Sequence, residues 1–448
     1  MSLSRADTTG HSTGRHRRVW RLAAPIILSG LSVPLLGAVD TAVVGRLPDA
    51  AYIGGVAVGA MIFDFLYWGF GFLRMATSGF TAQAQGAGDA IETGAALDRS
   101  LILAFALGFA ILLLQAPAGL LAFSLLRGSP AVEAQAHLYF TIRVWSAPAT
   151  LGVYALLGWL LGRQRTGLVL LVELVLNSIN ILLDLLFVLG FGWGVAGVAT
   201  ASVIAEYAAL AVGLGLAFRL GHRFPWWSAR ARLFARERMT ALLSVNGNVF
   251  IRTLSLVFAV ALFTAIGARL GDETLAANAI LMNFFAFVSY GLDGFAHTAQ
   301  TLVGVATGAG SRRQYREAIR DTTLWALILA GGASLVLALL GPWLIELYSV
   351  NGLVQSTAKT YLPWMVAMPL LSVWCFQLDG IFIGATRSRE MRNGMLLALL
   401  GELIALWILV PLWGNNGLWL SMTIFVALRG LTLGVWLPRI ERALPADA

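Results

Sequence analysis

Long apolar runs fill the chain from about residue 22 to residue 437, separated by short polar or glycine-bearing connections. A helix that crosses a bilayer needs about 20 mostly apolar residues. Twelve runs meet that need, near 22–45, 51–82, 97–122, 136–160, 167–190, 193–218, 242–267, 275–306, 322–348, 360–384, 394–413 and 416–437. Single polar residues interrupt them, but no hydrophilic stretch is long enough to form a soluble domain. The pattern predicts an all-α integral membrane protein.

Composition agrees. Of 448 residues, 58% are hydrophobic and 12% charged, against about 25% charged in an ordinary soluble domain. So few charges do not coat a soluble surface of this size. The single cysteine, Cys375, has no internal partner, which excludes a disulfide scaffold and leaves a small packing residue. The net charge of +8 raises the question of nucleic acid. However, the arginines sit in short connections between apolar runs, a distribution that sets membrane orientation and argues against a nucleic-acid partner.

The amino-terminal segment carries Arg5, Arg15, Arg17, Arg18 and Arg21, and alternate connections carry Arg99, Arg163, Arg165, the cluster from Arg219 to Arg238, the cluster from Arg312 to Arg320, and Arg387, Arg389 and Arg392. Arg439 and Arg442 follow the last run. The opposite connections hold Arg46, Arg127, Arg143, Arg269 and Lys359. Excess positive charge stays inside, so both termini are predicted to be cytoplasmic. Residues 1–18 are polar and basic and do not read as a cleaved signal peptide.

The chain also aligns with itself. At an offset of 222, Gly86-Ala87-Gly88 falls on Gly308-Ala309-Gly310, Gly158 on Gly380, and Gly162-Arg163-Gln164-Arg165-Thr166 on Gly384-Ala385-Thr386-Arg387-Ser388. At an offset of 220, Gly194-Val195-Ala196-Gly197 falls on Gly414-Asn415-Asn416-Gly417. Six spans bring each half back to its starting side, so the halves are predicted to be parallel repeats. That architecture belongs to secondary transporters that rock two bundles around a central cavity. The predicted organisation is a tail 1–20, a six-helix lobe 21–218, a basic linker 219–241, a second lobe 242–438 and a tail 439–448. Pro225-Trp226-Trp227, beside arginines in the linker, suits either an interfacial helix or an aromatic anchor at the membrane surface.

Ionisable groups inside a span cost about 2.5–3.5 kcal/mol each on insertion scales, so each calls for a reason. Glu173, Asn177, Asn180 and Asp184 in the fifth run fall within a stripe about 60° wide at 100° per residue, facing a wet or protein-lined interior. Asp40, Asp184 and Thr200 each lie several residues from the same end of their runs, at a common depth of roughly 7–10 Å. Two carboxylates brought together in a low dielectric repel unless a proton is shared or a small hard cation such as Na⁺ is held by the same oxygens. The competing reading is a static hydrogen-bonded network that pins helix packing. Pro25 and Pro34 break the backbone ladder of the first run and favour a bend.

The second half has no equivalent pair: Asp40 maps to Leu262 and Asp184 to about Ile404. Coupling is therefore expected in the first half. Arg252, Asp293, Asp379 and Glu402 are expected to form a charge-neutralising network, structural or part of an inner gate. Asp64, Arg74, Glu173, Glu206 and His297 receive no role. Enzyme signatures are missing: no phosphate-binding Gly-rich loop with Lys-Ser/Thr, no His-Glu-x-x-His, no Cys-x-x-Cys and no Gly-x-Ser-x-Gly elbow.

These residues resemble a known family. Twelve spans in two halves, Val39-Asp40-Thr41 followed by Val44-Gly45-Arg46-Leu47, and the Asn180/Asp184 stripe resemble the multidrug and toxic compound extrusion (MATE) transporters. Leu378-Asp379-Gly380-Ile381-Phe382-Ile383-Gly384-Ala385-Thr386-Arg387, with Met391-Arg392-Asn393, resembles the DinF-like branch. The resemblance covers about 20–440. It implies a V-shaped pair of bundles that exports toxic organic compounds against inward H⁺ or Na⁺. It also implies Asp40 as the cation-coupled acid, Asn180, Asp184 and Thr200 as its partners, and Pro25 as the bending point. The Na⁺-coupled NorM branch carries acids on the seventh helix. Here that helix has Asn246, Asn248 and Arg252 instead.

The expectation is a monomeric antiporter of a bacterial inner membrane, without a cofactor. It exchanges H⁺ or Na⁺ for small organic compounds, often cationic or amphipathic. One rival is a flippase for lipid-linked oligosaccharides, which calls for several arginines to hold pyrophosphate; Arg74 and Arg252 are the arginines the sequence reading places inside spans. The other rival, an integral-membrane enzyme, lacks a nucleophile or metal constellation.

Overall fold

The computed structural model describes residues 8–47, 50–125, 129–222 and 233–445. Regular structure among them is helical throughout: α1 (Thr8–Val44), α2 (Ala50–Gly69), α3 (Phe72–Gly86), α4 (Ala90–Leu113), α5 (Gln115–Leu125), α6 (Pro130–Arg143), α7 (Ala147–Gly162), α8 (Thr166–Asp184), α9 (Gly194–Arg219), α10 (Arg236–Arg269), α11 (Asp272–Gly308), α12 (Arg312–Tyr348), α13 (Gly352–Gly384), α14 (Ser388–Trp413) and α15 (Asn415–Arg442). Backbone polar groups have no water to satisfy them in a bilayer core, so an unbroken helix is the economical way across.

Eleven spans among the described residues are long and apolar enough to cross a membrane. The apolar run of α1 brings the number to twelve, as the sequence pattern predicts. Some spans are composite. The α2 and α3 helices follow one another through a break at Phe70-Gly71, and a short 3₁₀ turn, Val144–Ser146, joins α6 to α7. Beyond Asp184, α8 loosens into a π turn, Leu185–Gly190. Helix α1 stays continuous through Pro25 and Pro34. Each proline lacks an N–H, which leaves the carbonyls of Arg21 and Gly30 without their usual helical donor.

The repeat predicted from glycines is built into the packing. A Cβ on Gly158 of α7 would stand 2.4 Å from the Arg74 carbonyl oxygen, and one on Gly380 of α13 would stand 2.1 Å from that of Ala296. A turn later, Gly162 and Gly384 meet the carbonyls of Ser78 and Gln300 at 2.7 and 2.3 Å. Donor and neighbour alike are shifted by 222 positions. The turns after α7 and α13 each hold a non-glycine residue at positive φ, Gln164 (61°) and Thr386 (56°), again 222 apart. By Gly194 (φ 55°) and Gly414 (φ 54°) the offset is 220. The first half thus carries two more residues over this stretch. Helix α8 with its π turn ends at Gly190 and three non-helical residues precede Gly194, whereas α14 runs unbroken to Trp413 and is followed at once by Gly414.

Contacts divide the chain into a carboxy-terminal unit (Met1–Ile27, Gly86–Gly88 and Ser244–Ala448) and an amino-terminal unit (Leu28–Gln85 and Asp89–Leu243). Helix α1 therefore contributes to both, changing unit two residues after Pro25. In the carboxy-terminal unit, Arg15 pairs with Glu317 (2.8 Å) and Asp321 (3.3 Å). There Trp20 packs edge-on against Phe295 and Trp325. In the amino-terminal unit, Ser32 and Asp40 face α8. The membrane-surface feature expected at Pro225-Trp226-Trp227 lies outside the described residues.

Candidate functional site

The polar stripe of α8 turns inward in the amino-terminal unit. Asn180 is 3% exposed and Asp184 fully buried. Asn177 Nδ2 donates to Ser32 Oγ of α1 at 2.8 Å. Asn180 Nδ2 donates to Ser202 Oγ of α9 at 3.2 Å. One turn beyond Asn180, the Asp184 carboxyl lies near enough to that of Asp40 for the two to interact. Neither Asp184 oxygen, nor Asp40 Oδ1, meets a protein donor. A buried carboxylate without donors is costly. Two carboxyls join by a hydrogen bond when one of them carries a proton, and a small cation between them is the alternative bridge. Asp184 is also the last residue before the π turn, a helix defect often found at functional sites.

Sequence reasoning places Asp40, Asp184, Asn180 and Asn177 together; the structure sets Asp40 against Asp184, while the amides of Asn177 and Asn180 on the same stripe go to Ser32 and Ser202. Thr200 differs. Its hydroxyl donates to the Ala196 carbonyl of its own helix at 2.7 Å, and the α9 residue that reaches Asn180 is Ser202. A single Ser on a helix gives no sequence signal of its own, and neither does Ser32.

Arg143 is a correction. Its predicted place was an outer connection, but it closes α6 in mid-span. It bonds Ser146 Oγ and reaches Glu206 Oε1 at 3.3 Å. Its guanidinium stands over the Phe63 and Tyr67 rings and acts electrostatically on Asp40 and Asp64. Glu206, unassigned from sequence, thereby has its counter-ion. Arg74 similarly acts on Glu173. His297 is satisfied by Gln300 at 3.1 Å, as ordinary packing predicts.

In the carboxy-terminal unit, Asp379 of α13 accepts from Arg252 of α10 and, at 2.8 Å, from Arg429 of α15, both on Oδ2. Asp293 acts on Arg429 electrostatically. Three of the four predicted members of the second-half network are therefore in it. Glu402 is not. It is fully buried on α14, with both carboxyl oxygens unpartnered, because Arg429 turns to α13 and is taken by Asp379. Arg429 is a second arginine inside a span that sequence reasoning misses. With Arg143 it raises the arginines within spans beyond Arg74 and Arg252, but Arg143, Arg252 and Arg429 are each committed to a protein carboxylate.

A sequence profile of the MatE family matches residues 25–186 and 249–406. DNA damage-inducible protein F of Escherichia coli K12 is 41% identical over 429 residues, covering 95% of this chain and 92% of that protein. The chain belongs to the MATE family of membrane transporters, on its DinF-like branch. A probable multidrug resistance protein NorM of Deinococcus radiodurans is 29% identical, covering 94% and 95% of the two chains. The crystal structure of MATE in the bent conformation superposes with a TM-score of 0.87 at 18% identity over 96% of each chain. At that identity the likeness speaks for the twelve-helix MATE fold alone.

Against that family background the two units of this MATE chain differ chemically. The amino-terminal unit keeps two adjoining carboxyls, with no protein donor on either Asp184 oxygen or on Asp40 Oδ1. The carboxy-terminal unit neutralises its carboxylate on α13 with two guanidiniums. Sequence alone suggests this asymmetry through the residues that Asp40 and Asp184 lack in the second half. The arginine commitments become visible only when the helices are packed.

Proposed function

We propose that the chain is a cation-coupled antiporter, with H⁺ as the coupling ion, that exports small organic, often cationic or amphipathic compounds by alternating access. The adjoining carboxyls of Asp40 and Asp184 carry this reading: no protein donor reaches the Asp184 oxygens, so a proton is the bridge that completes the pair. Na⁺ is the second reading, favoured by the oxygen donors of the same pair and of Asn180. The name of the Deinococcus relative, a probable multidrug resistance protein, supports the substrate class.

The steps follow from where α1 lies. A proton entering from the outer side binds between Asp40 and Asp184 and removes their mutual repulsion. The outer half of α1 then settles against α8. Its inner half is fixed by Arg15 and Trp20 to the other unit, so the helix bends near Pro25, where the ladder already lacks a bond. The changed cavity releases the compound outward, and loss of the proton to the inner side resets the pair. In this reading the six-helix lobes are 21–218 and 242–438, both termini are cytoplasmic, and the protein works as a monomer in a bacterial inner membrane.

Export of a fluorescent lipophilic cation from proteoliposomes tests this under separately imposed proton and sodium gradients. Asp40→Asn should abolish gradient-driven export in folded protein. Unchanged export by that variant rejects the assignment. A sodium gradient that drives export at constant pH replaces H⁺ with Na⁺.

A further inference from the structure

Glu402 is the buried acid that the proposed coupling site leaves unused. It lies near the middle of α14, fully buried, with both carboxyl oxygens unpartnered. Its position follows from the repeat. The offset of 222 holds at the helix starts, Thr166 for α8 and Ser388 for α14, and α14 continues without interruption. On that offset Glu402 occupies the place of Asn180, the residue that flanks the Asp40/Asp184 pair. The second half thus has a carboxyl where the first has an amide.

Helix α14 packs against α15 and α13. Gly401 faces Leu428, where a Cβ would stand 2.3 Å from Leu428 Cδ1. Ala398 and Leu406 of α14 and Met422, Phe425 and Val426 of α15 belong to the unit's apolar core. The ionisable groups on the packed elements are Arg429, Arg439, Glu441 and Arg442 on α15, Lys359, Tyr361, Cys375 and Asp379 on α13, and Arg389, Glu390 and Arg392 on α14 itself. None of them acts on the Glu402 carboxyl; burial is the one influence on it. Arg429, the basic residue in mid-span on α15, is bonded to Asp379. An ionised carboxylate with neither counter-ion nor donor is not tolerated in such a setting, so the group holds a proton.

We propose that Glu402 is a second proton-binding site of this chain, set in the carboxy-terminal unit at the repeat position of Asn180, and that it takes up and releases its proton during the cycle. The ligand is H⁺. The proposal rests on the reading of the chain as a transporter coupled to protons, but the site is chemically separate from Asp40 and Asp184.

Infrared difference spectroscopy of the full-length protein in lipid bilayers, stepped between alkaline and acid buffer, tests it in the carbonyl-stretch region of protonated carboxyls. The wild type should show a pH-dependent band that disappears in Glu402→Gln and survives in Asp40→Asn. Should Glu402→Gln fail to fold, Glu402→Leu, which suits the apolar surroundings, takes its place, and Glu402→Asp should restore a shifted band. A wild-type band unaffected by Glu402→Gln overturns the proposal. So does a band lost in that variant but unchanged by pH, which marks a static neutral carboxyl. Loss of the band on adding Na⁺ at fixed pH overturns it too, making Glu402 a cation ligand. A Glu402 band that behaves as expected while Asp40→Asn still exports with full coupling sinks the Asp40 assignment and leaves this one standing.

Discussion

Replacing Asp379 by Asn removes one negative charge from a site where two guanidiniums share one oxygen. Arg252, Asp379 and Arg429 are 7%, 8% and 6% exposed, so water screens little of the change. Asp293 is the other carboxylate acting on Arg429; two positive and two negative groups balance, and Asp379→Asn leaves one positive charge over. Removing one partner of a buried pair costs about 3–5 kcal/mol in soluble proteins. In membranes, interhelical polar contacts measure lower, averaging about 0.6 and reaching about 1.7 kcal/mol. Asn still accepts one hydrogen bond, so a loss of about 2–3 kcal/mol is expected. At about 2–4 °C per kcal/mol for a unit of roughly 200 residues, the melting temperature of purified protein should fall by about 4–12 °C. Asp379→Asn/Arg429→Gln restores neutrality and should recover more than half of that loss. A single variant that melts with the wild type, or a double variant no better than the single, refutes the charge-balance reasoning.

Further outcomes are expected elsewhere. Asp184→Asn, like Asp40→Asn, should abolish proton-driven export while its melting temperature stays close to that of the wild type, measured on the same preparations. Pro25→Ala returns a donor to the Arg21 carbonyl and stiffens α1; export should fall several-fold without loss of stability, and full export by this variant removes Pro25 from the mechanism. Gly380→Ala places a methyl group 2.1 Å from the Ala296 carbonyl oxygen and should cost at least about 1–3 kcal/mol, read as reduced folded yield. Gly331→Ala, with nothing within 4 Å, is the control. Arg143→Gln leaves Glu206 buried without its counter-ion and should lower stability and coupled export together, with partial recovery in Arg143→Gln/Glu206→Gln.

Much of the fold is written in coarse features. Twelve apolar runs predict twelve spans, because hydrocarbon tolerates little else, and the glycine matches at 222 survive as places where backbones touch. The α8 stripe is equally legible, since three- and four-residue spacing puts Asn177, Asn180 and Asp184 on one face whatever they meet. What sequence does not give is the choice of partner. Arg143 is counted with the outer connection although it falls inside the run near 136–160, because it lies close to that run's start; the structure sets it in mid-span, where α6 gives way to a 3₁₀ turn. Arg429 disappears among apolar neighbours. Glu402 looks like a member of the Arg252/Asp379 network because both are acids and bases of one half; rotation about α14 and the prior commitment of Arg429 separate them. Ser202 in place of Thr200 is a matter of which hydroxyl its own helix has not already engaged.

The two extra residues in the first half connect these observations. Equivalent turns at Gln164 and Thr386 show that the repeats enter the fifth and eleventh spans in register, and Gly194 and Gly414 show that they leave two residues apart. The extra length lies beyond Asp184, in the connection that follows the π turn, and the π turn that begins after Asp184 is where the helical ladder loosens. The irregularity therefore falls beside the very carboxyl that the second half lacks. In the second half the helix stays regular, the position of Asp184 is apolar, and the nearest acid, Glu402, lies one turn earlier, buried in apolar packing. A loosened helix beside a shared one lets a charge change be felt along it. In the proposed mechanism, that physical difference is why the half with the defect in its ladder is the one assigned the coupling to α1.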